Sequence, residues 1–237
     1  MGSETARSAR DEHGAAPRVR LAGAPISWGV CEVPGWGLQL PPERVLGEMA
    51  GLGLTATELG PLGWLPREPG ALRERLDAHR LALVGGFVPL VLHEPALGDA
   101  RAAAEDAARG LAAAGAEVFV CALVADSAWS APPALDDGDL AAVVRNLAAI
   151  EELVAAHGLT LMGATQEGLF QPLGRGDARI AEVLAQLEAH GYERWLVLEQ
   201  DAALTGEEPP VGSGPVLDVQ ASIEFVRERA PGRGRGA

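Results

Sequence analysis

Three carboxylates stand where short apolar runs end. Glu58 closes LTATEL (54–59), Glu199 closes WLVLE (195–199), and Asp126 lies just past EVFVCAL (117–123). A carboxylate can take up or give a proton, or bind a hard cation through oxygen. A charge closing an apolar strand is either a site residue or an ion-paired rim residue, and the local sequence leaves both readings open. His93 and Glu94 follow the run LALVGGFV (81–88) and are read either as facing a pocket or as a solvated loop pair. Trp28 and Trp64 offer flat walls for a binding pocket or large side chains for buried packing. Glu167 follows the fifth apolar run, and Arg175-Gly176-Asp177 reads as Asp177 capping a helix. Cys31 and Cys121 supply neither a disulfide framework nor a zinc spacing, and are read as reduced and structural.

The elements that must position these groups alternate. Strands are expected at 21–28, 54–59, 81–88, 117–123, 159–162 and 195–199, the third ended by Pro89. Helices are expected from Pro42 to about Leu52, through Leu72 and Leu76 to about His79, and over 99–114. Three more follow: one capped by Asp137 or Asp139 and running to His157-Gly158, then 178–190 and 216–229. Alternation at this spacing predicts parallel βαβ units. The two architectures that satisfy it are a doubly wound sheet and a (β/α) barrel. The turn after the first strand, SWGVCEVPGWG, has glycines at the wrong spacing for a dinucleotide fingerprint, and the sequence contains no Walker A pattern. Carboxylates at strand C-termini suit the barrel, whose chemistry sits at that face.

Composition narrows the field further. The chain has 237 residues, of which 48% are hydrophobic and 22% charged, enough for a sizeable core. Its formal charge of −14 and pI near 4.7 repel phosphate backbones and anionic lipid, so neither nucleic acid nor a membrane surface is an expected partner. No apolar run reaches membrane-spanning length, and the N-terminal segment has no apolar core of a secretion signal, so a cytoplasmic location is expected. Residues 1–18 and 231–237 read as disordered ends around one barrel-type domain at 19–230.

Five stretches taken together resemble the sugar phosphate isomerase/epimerase family with its xylose-isomerase-like TIM barrel, in particular the inosose-dehydratase-like branch. They are AGAPISWGV (22–30), TATELGPLGWLP (55–66), LALVGGFVPL (81–90), EGLFQPLGRGD (167–177) and GYERWLVLEQD (191–201), and they occur in the family's order. The family carries two further strand–helix units between the counterparts of LTLM and EGLF, and these are missing here. At about 31 residues per unit of an eight-unit barrel, the gap amounts to roughly 60 residues. The resemblance therefore implies an incomplete barrel, about six of eight units, open or distorted, shortened near 162–167.

The resemblance also implies a chemistry. The family's reactions begin by removing a proton α to the carbonyl of a sugar or keto-polyol, with carboxylates moving the proton and a divalent metal (Mn, Mg or Co) stabilising the enediolate. Isomerase, epimerase and inosose dehydratase activities, the last in inositol catabolism, follow from where the proton returns or which group leaves. Of the family's Glu, Asp, His and Glu metal ligands, only the last has a counterpart, Glu199. The implied site has Glu58 and Glu199 as catalytic residues, Glu199 as metal ligand, and Trp28, Trp64, His93 and Asp126 around a sugar or polyol. Loss of the other ligands implies weak or absent metal binding, and the alternative function is a degenerate relative that only binds a polyol or a protein. Two missing strands also leave exposed sheet edges, which implies a homo-oligomer pairing them.

Overall fold

The computed structural model describes residues 20–130, 134–164, 172–176 and 178–229. The readings of residues 1–18, 231–237, Glu167 and Asp177, and most of the expected shortening point at 162–167, lie outside the described residues. The elements, in chain order, are β1 (Arg20–Gly23), a 3-10 turn at Pro25–Trp28, α1 (Pro42–Gly51), β2 (Ala56–Glu58), α2 (Pro69–Ala78) and β3 (Ala82–Leu90). They continue with α3 (Gly98–Ala113), β4 (Val118–Leu123), α4 (Asp137–Ala156), β5 (Thr160–Ala164), α5 (Ile180–Ala189), β6 (Trp195–Leu198) and α6 (Pro215–Arg229).

All six strands lie in one sheet in the order β5-β4-β3-β2-β1-β6, and every neighbouring pair is parallel. The sheet curls into an incomplete barrel with helices outside it. Alternation along each strand separates two faces. Ala22, Ala56 and Val84 turn inward and pack with Trp195 and Val197, a lumen of mostly small side chains. The main core, including Leu21, Leu83, Phe119, Met49, Ile150 and Ile223, fills the layer between the strands and the helices.

β5 and β6 do not pair, yet side chains span the gap where the strands begin. Arg194 Nη1 donates to Thr160 Oγ1 at 3.3 Å. Glu117 accepts from Trp195 Nε1 at 3.2 Å and from Arg20 Nη1 at 3.4 Å, while the Arg20 guanidinium lies 4.2 Å from the Trp195 ring centroid. These contacts draw the starts of β1 and β6 toward those of β4 and β5.

Local signals differ from the sequence expectations in three places. β1 stops at Gly23 because Pro25 diverts the chain into the 3-10 turn, which Gly29 ends at φ 84°. β3 runs through Pro89 instead of stopping at it, pairing Pro89 with Ala122. The reason is register. The Gly85 carbonyl points toward β2 and that of Val84 toward β4, so the missing N–H of Pro89 would face the β2 side, beyond the end of β2 at Glu58. Finally, α4 is capped by Asp136 in a reciprocal box with Asp139, not by Asp137 or Asp139 at the cap position. Among the described residues, no helix is long and apolar enough to cross a membrane.

Candidate functional site

The C-terminal ends of β1, β2 and β6 meet at one small cleft. Ala56 faces the lumen on β2, so alternation turns Glu58, two residues on, the same way. On β6, Trp195 and Val197 face inward and Glu199 follows in the same phase. The chain leaving β1 is tied to the end of β6. The Ala24 N–H donates to the Leu198 carbonyl at 3.0 Å, and Ser27 Oγ accepts from the Gln200 N–H at 2.8 Å. Trp36 Nε1 donates to the Ala202 carbonyl at 2.8 Å, and the Leu38 N–H donates to the Leu204 carbonyl at 3.0 Å. This interlock brings Glu32, from the loop after β1, to the same cleft as Glu58 and Glu199.

Pro25, Ile26, Val30 and Phe87 supply the apolar lining, and Gly60 completes it. Gly60 sits at φ 70°, and a Cβ there would come within 2.9 Å of the Trp64 ring, so glycine is required. The cleft volume is about 20 Å³, room for a water molecule and not for a sugar ring.

The electrostatics are those of crowded acids. Glu58 is 9% exposed, and no described group donates to its carboxyl. Burial, reinforced by repulsion from Glu199 and Glu32, pushes it up to about 8, so it carries a proton at neutral pH. Glu32 is raised by desolvation and by Glu199, and Glu199 by desolvation and by Asp201.

The structure thus brings Glu58 and Glu199 together and adds Glu32, which the sequence reading missed. Glu32 lies in a non-periodic loop, and nothing in its neighbourhood marks it; only the tie between that loop and β6 reveals it. Trp28 is placed elsewhere. It is fully buried, and its indole donates to Glu48 Oε2 on α1 at 3.0 Å, so it packs in the outer layer and does not line the cleft. Trp64 packs behind Gly60 and donates to the Leu40 carbonyl at 2.9 Å. Asp126 folds its own loop, accepting from the N–H groups of Ala128 (2.8 Å) and Ser130 (3.1 Å), and hydrogen bonds from Ser130 hold it below the usual aspartate range. His93 is half-buried just past β3 and is not among the residues lining the cleft.

Among the described residues, no group of three His, Cys, Asp or Glu side chains converges closely enough to hold a metal ion. The divalent cation implied by the resemblance therefore finds no donor set there. The arrangement instead places the protonated Glu58 carboxyl beside two further carboxyl groups, both raised by burial, which is a place to hold and exchange a proton.

No protein-family model matches the chain. It is 36% identical over 75 residues to inosose dehydratase of Geobacillus kaustophilus (strain HTA426), a match covering 32% of this chain and 24% of that protein. It is 39% identical over 69 residues to the rhizopine catabolism protein MocC of Rhizobium meliloti, covering 29% and 21%. The chain thus spans less than a quarter of the length of these two relatives. The structure of D-allulose 3-epimerase from Methylomonas sp., in complex with D-allulose, superposes with a TM-score of 0.61 at 10% identity, covering 90% of this chain and 98% of that one. The described strands and helices therefore take the fold of an incomplete TIM barrel, like that of D-allulose 3-epimerase, and about a third of the chain is similar in sequence to inosose dehydratase and to MocC.

Proposed function

We propose that residues 19–230 act as one barrel domain that takes a sugar or keto-polyol at the mouth of the barrel and moves the proton α to its carbonyl. The observation that carries this reading is the meeting of Glu32, Glu58 and Glu199 in one cleft, with Glu58 holding a proton at neutral pH. A carboxylate at Glu199 or Glu32 removes the proton, and the carboxylic acid at Glu58 donates to the oxygen on which charge develops. Return of the proton to another carbon or face gives isomerisation or epimerisation; departure of a β-hydroxyl gives dehydration of the inosose type. The partial homology to inosose dehydratase and the barrel shared with D-allulose 3-epimerase support this substrate class. A sugar ring exceeds the cleft as it stands, so binding requires the loops after β1 and β6 to part.

A second reading, a polyol-binding relative without turnover, is favoured by the missing metal donor set among the described residues. Proton exchange separates the two. The protein incubated in deuterated water with a keto-inositol or a ketohexose should wash deuterium into the position next to the carbonyl, as read by proton NMR. Glu199→Gln and Glu58→Gln should each slow that exchange by about 100-fold or more. Saturable binding without exchange would leave the binding-only reading standing, and neither binding nor exchange would refute both.

A further inference from the structure

Val30 and Leu40 are both buried in the main core. Between them the chain makes an excursion, CEVPGWGLQ (31–39), in which Cys31 alone is buried. Most of its hydrogen bonds are internal. Cys31 Sγ accepts from the Val33 N–H at 3.4 Å, the Val33 carbonyl from the Trp36 N–H at 3.2 Å, and Gln39 Oε1 from the Cys31 N–H at 2.9 Å. Among the described residues, two hydrogen bonds tie it to the rest of the fold, and both go to the segment after β6: Trp36 Nε1 to the Ala202 carbonyl and the Leu38 N–H to the Leu204 carbonyl. Leu204 fastens both ends. A Cβ at Gly29 would come within 2.8 Å of Leu204 Cγ, and one at Gly37 within 2.5 Å of the Leu204 carbonyl oxygen. Gly29 sits at φ 84° and Gly37 at φ 148°. The two glycines seat Leu204 because they lack a side chain, and their backbone freedom lets the segment pivot when Leu204 withdraws.

The excursion carries Glu32. Fastened down, it holds that carboxyl in the cleft with Glu58 and Glu199, and none of the residues lining the cleft is a cation. Repulsion from Glu199 therefore pushes Glu32 outward while Leu204 holds it in, and these opposed forces poise the segment between two positions. The fastened position leaves a cleft too small for a sugar, and withdrawal of Glu32 removes one of its walls.

We propose that residues 31–39 are a lid that swings Glu32 into and out of the cleft, with Leu204 as its latch. Substrate enters while the lid is open, and closure completes the three acids around it. The lid rests on the reading of the cleft as a polyol site, but its test needs no polyol, so the two fail separately. Cys31, at the root of the lid, is 7% exposed and belongs to neither core cluster, whereas Cys121 is fully buried in the main core. The whole chain is treated with iodoacetamide under native, mildly alkaline conditions, and each thiol is followed by peptide mass spectrometry. Relative to its rate in the unfolded chain, Cys31 should react at least about 10-fold faster than Cys121, because lid opening disrupts less than global unfolding. Leu204→Ala should speed Cys31 by about 10-fold. Leu153→Ala, in the core beneath α4, should speed Cys121 and leave Cys31 unchanged, because an open lid keeps Leu153 buried. Glu32→Gln removes the charge that closure presses against Glu199 and should slow Cys31 by about threefold. Equal rates for the two thiols in the parent chain would overturn the proposal. So would a Cys31 rate raised as much by Leu153→Ala as by Leu204→Ala, or one indifferent to Glu32→Gln.

Discussion

Glu58 ties the cleft to the stability of the whole chain. Its folded-state value is raised from 4.5 to about 8, so between those limits the native state holds a proton that the unfolded chain has released. The stability that Glu58 contributes is therefore full below pH 4.5, falls as pH rises toward about 8, and levels off above it. The full loss is on the order of a few kcal/mol. Glu58→Gln should remove this slope and leave the variant more stable than the parent above pH 8, as measured by urea unfolding at a series of pH values. Glu199→Gln removes a neighbouring negative charge, so carboxyl NMR should find the Glu58 midpoint below 8 in that variant. At this scale the sequence revealed what periodicity can carry. Glu58 and Glu199 were legible because each closes an apolar run, whereas Glu32 was hidden because its loop has no such run. Trp28 and Trp64 could be recognised as large flat side chains, but the side of the strand layer that each occupies depends on packing.

Among the elements, the end of the loop from β6 to α6, at Pro209–Gly212, is held by one buried pair. Arg44 Nε lies 2.6 Å from Glu48 Oε1, with both side chains under 10% exposed. Arg44 also donates to the carbonyls of Pro209 (3.2 Å) and Pro210 (2.7 Å), and Glu48 accepts from the Gly212 N–H at 2.9 Å as well as from Trp28. Arg44→Met would leave the Glu48 charge buried without its partner and free two carbonyls, a loss of about 3 kcal/mol. Thermal denaturation should show it. Asp136→Ala should cost less, about 1 kcal/mol, because it removes a single exposed cap. Element types and order could be read from apolar period and from Gly/Pro punctuation. The ends of β3 could not, because whether Pro89 breaks a strand depends on where the neighbouring β2 stops, a fact of register that no local window contains.

For the molecule as a whole, six strands were legible in the spacing of apolar runs and the barrel in the charges at strand ends, whereas the shortfall from eight units was implied only by the resemblance. How far the sheet curls was not legible, since that depends on Arg20, Glu117, Arg194 and Trp195, residues far apart in sequence that meet at the starts of the strands. The curl has a consequence for order of opening. Backbone amides in β2 and β3, paired on both sides, should exchange hydrogen more slowly than those of β5 and β6, paired on one. Exchange followed by mass spectrometry checks this, and equal protection across the sheet would contradict it.

The backbone ladder of β6 runs to β1 alone, over four residue pairs, and Glu199 is the next residue along. The carboxylate on which the proposed chemistry depends hangs from the rung most easily unzipped. Mild denaturant or a pull on the C-terminal end would disarm the cleft while β1 to β5 still stood, so the temperature at which the chain stops working should lie below the one at which it melts.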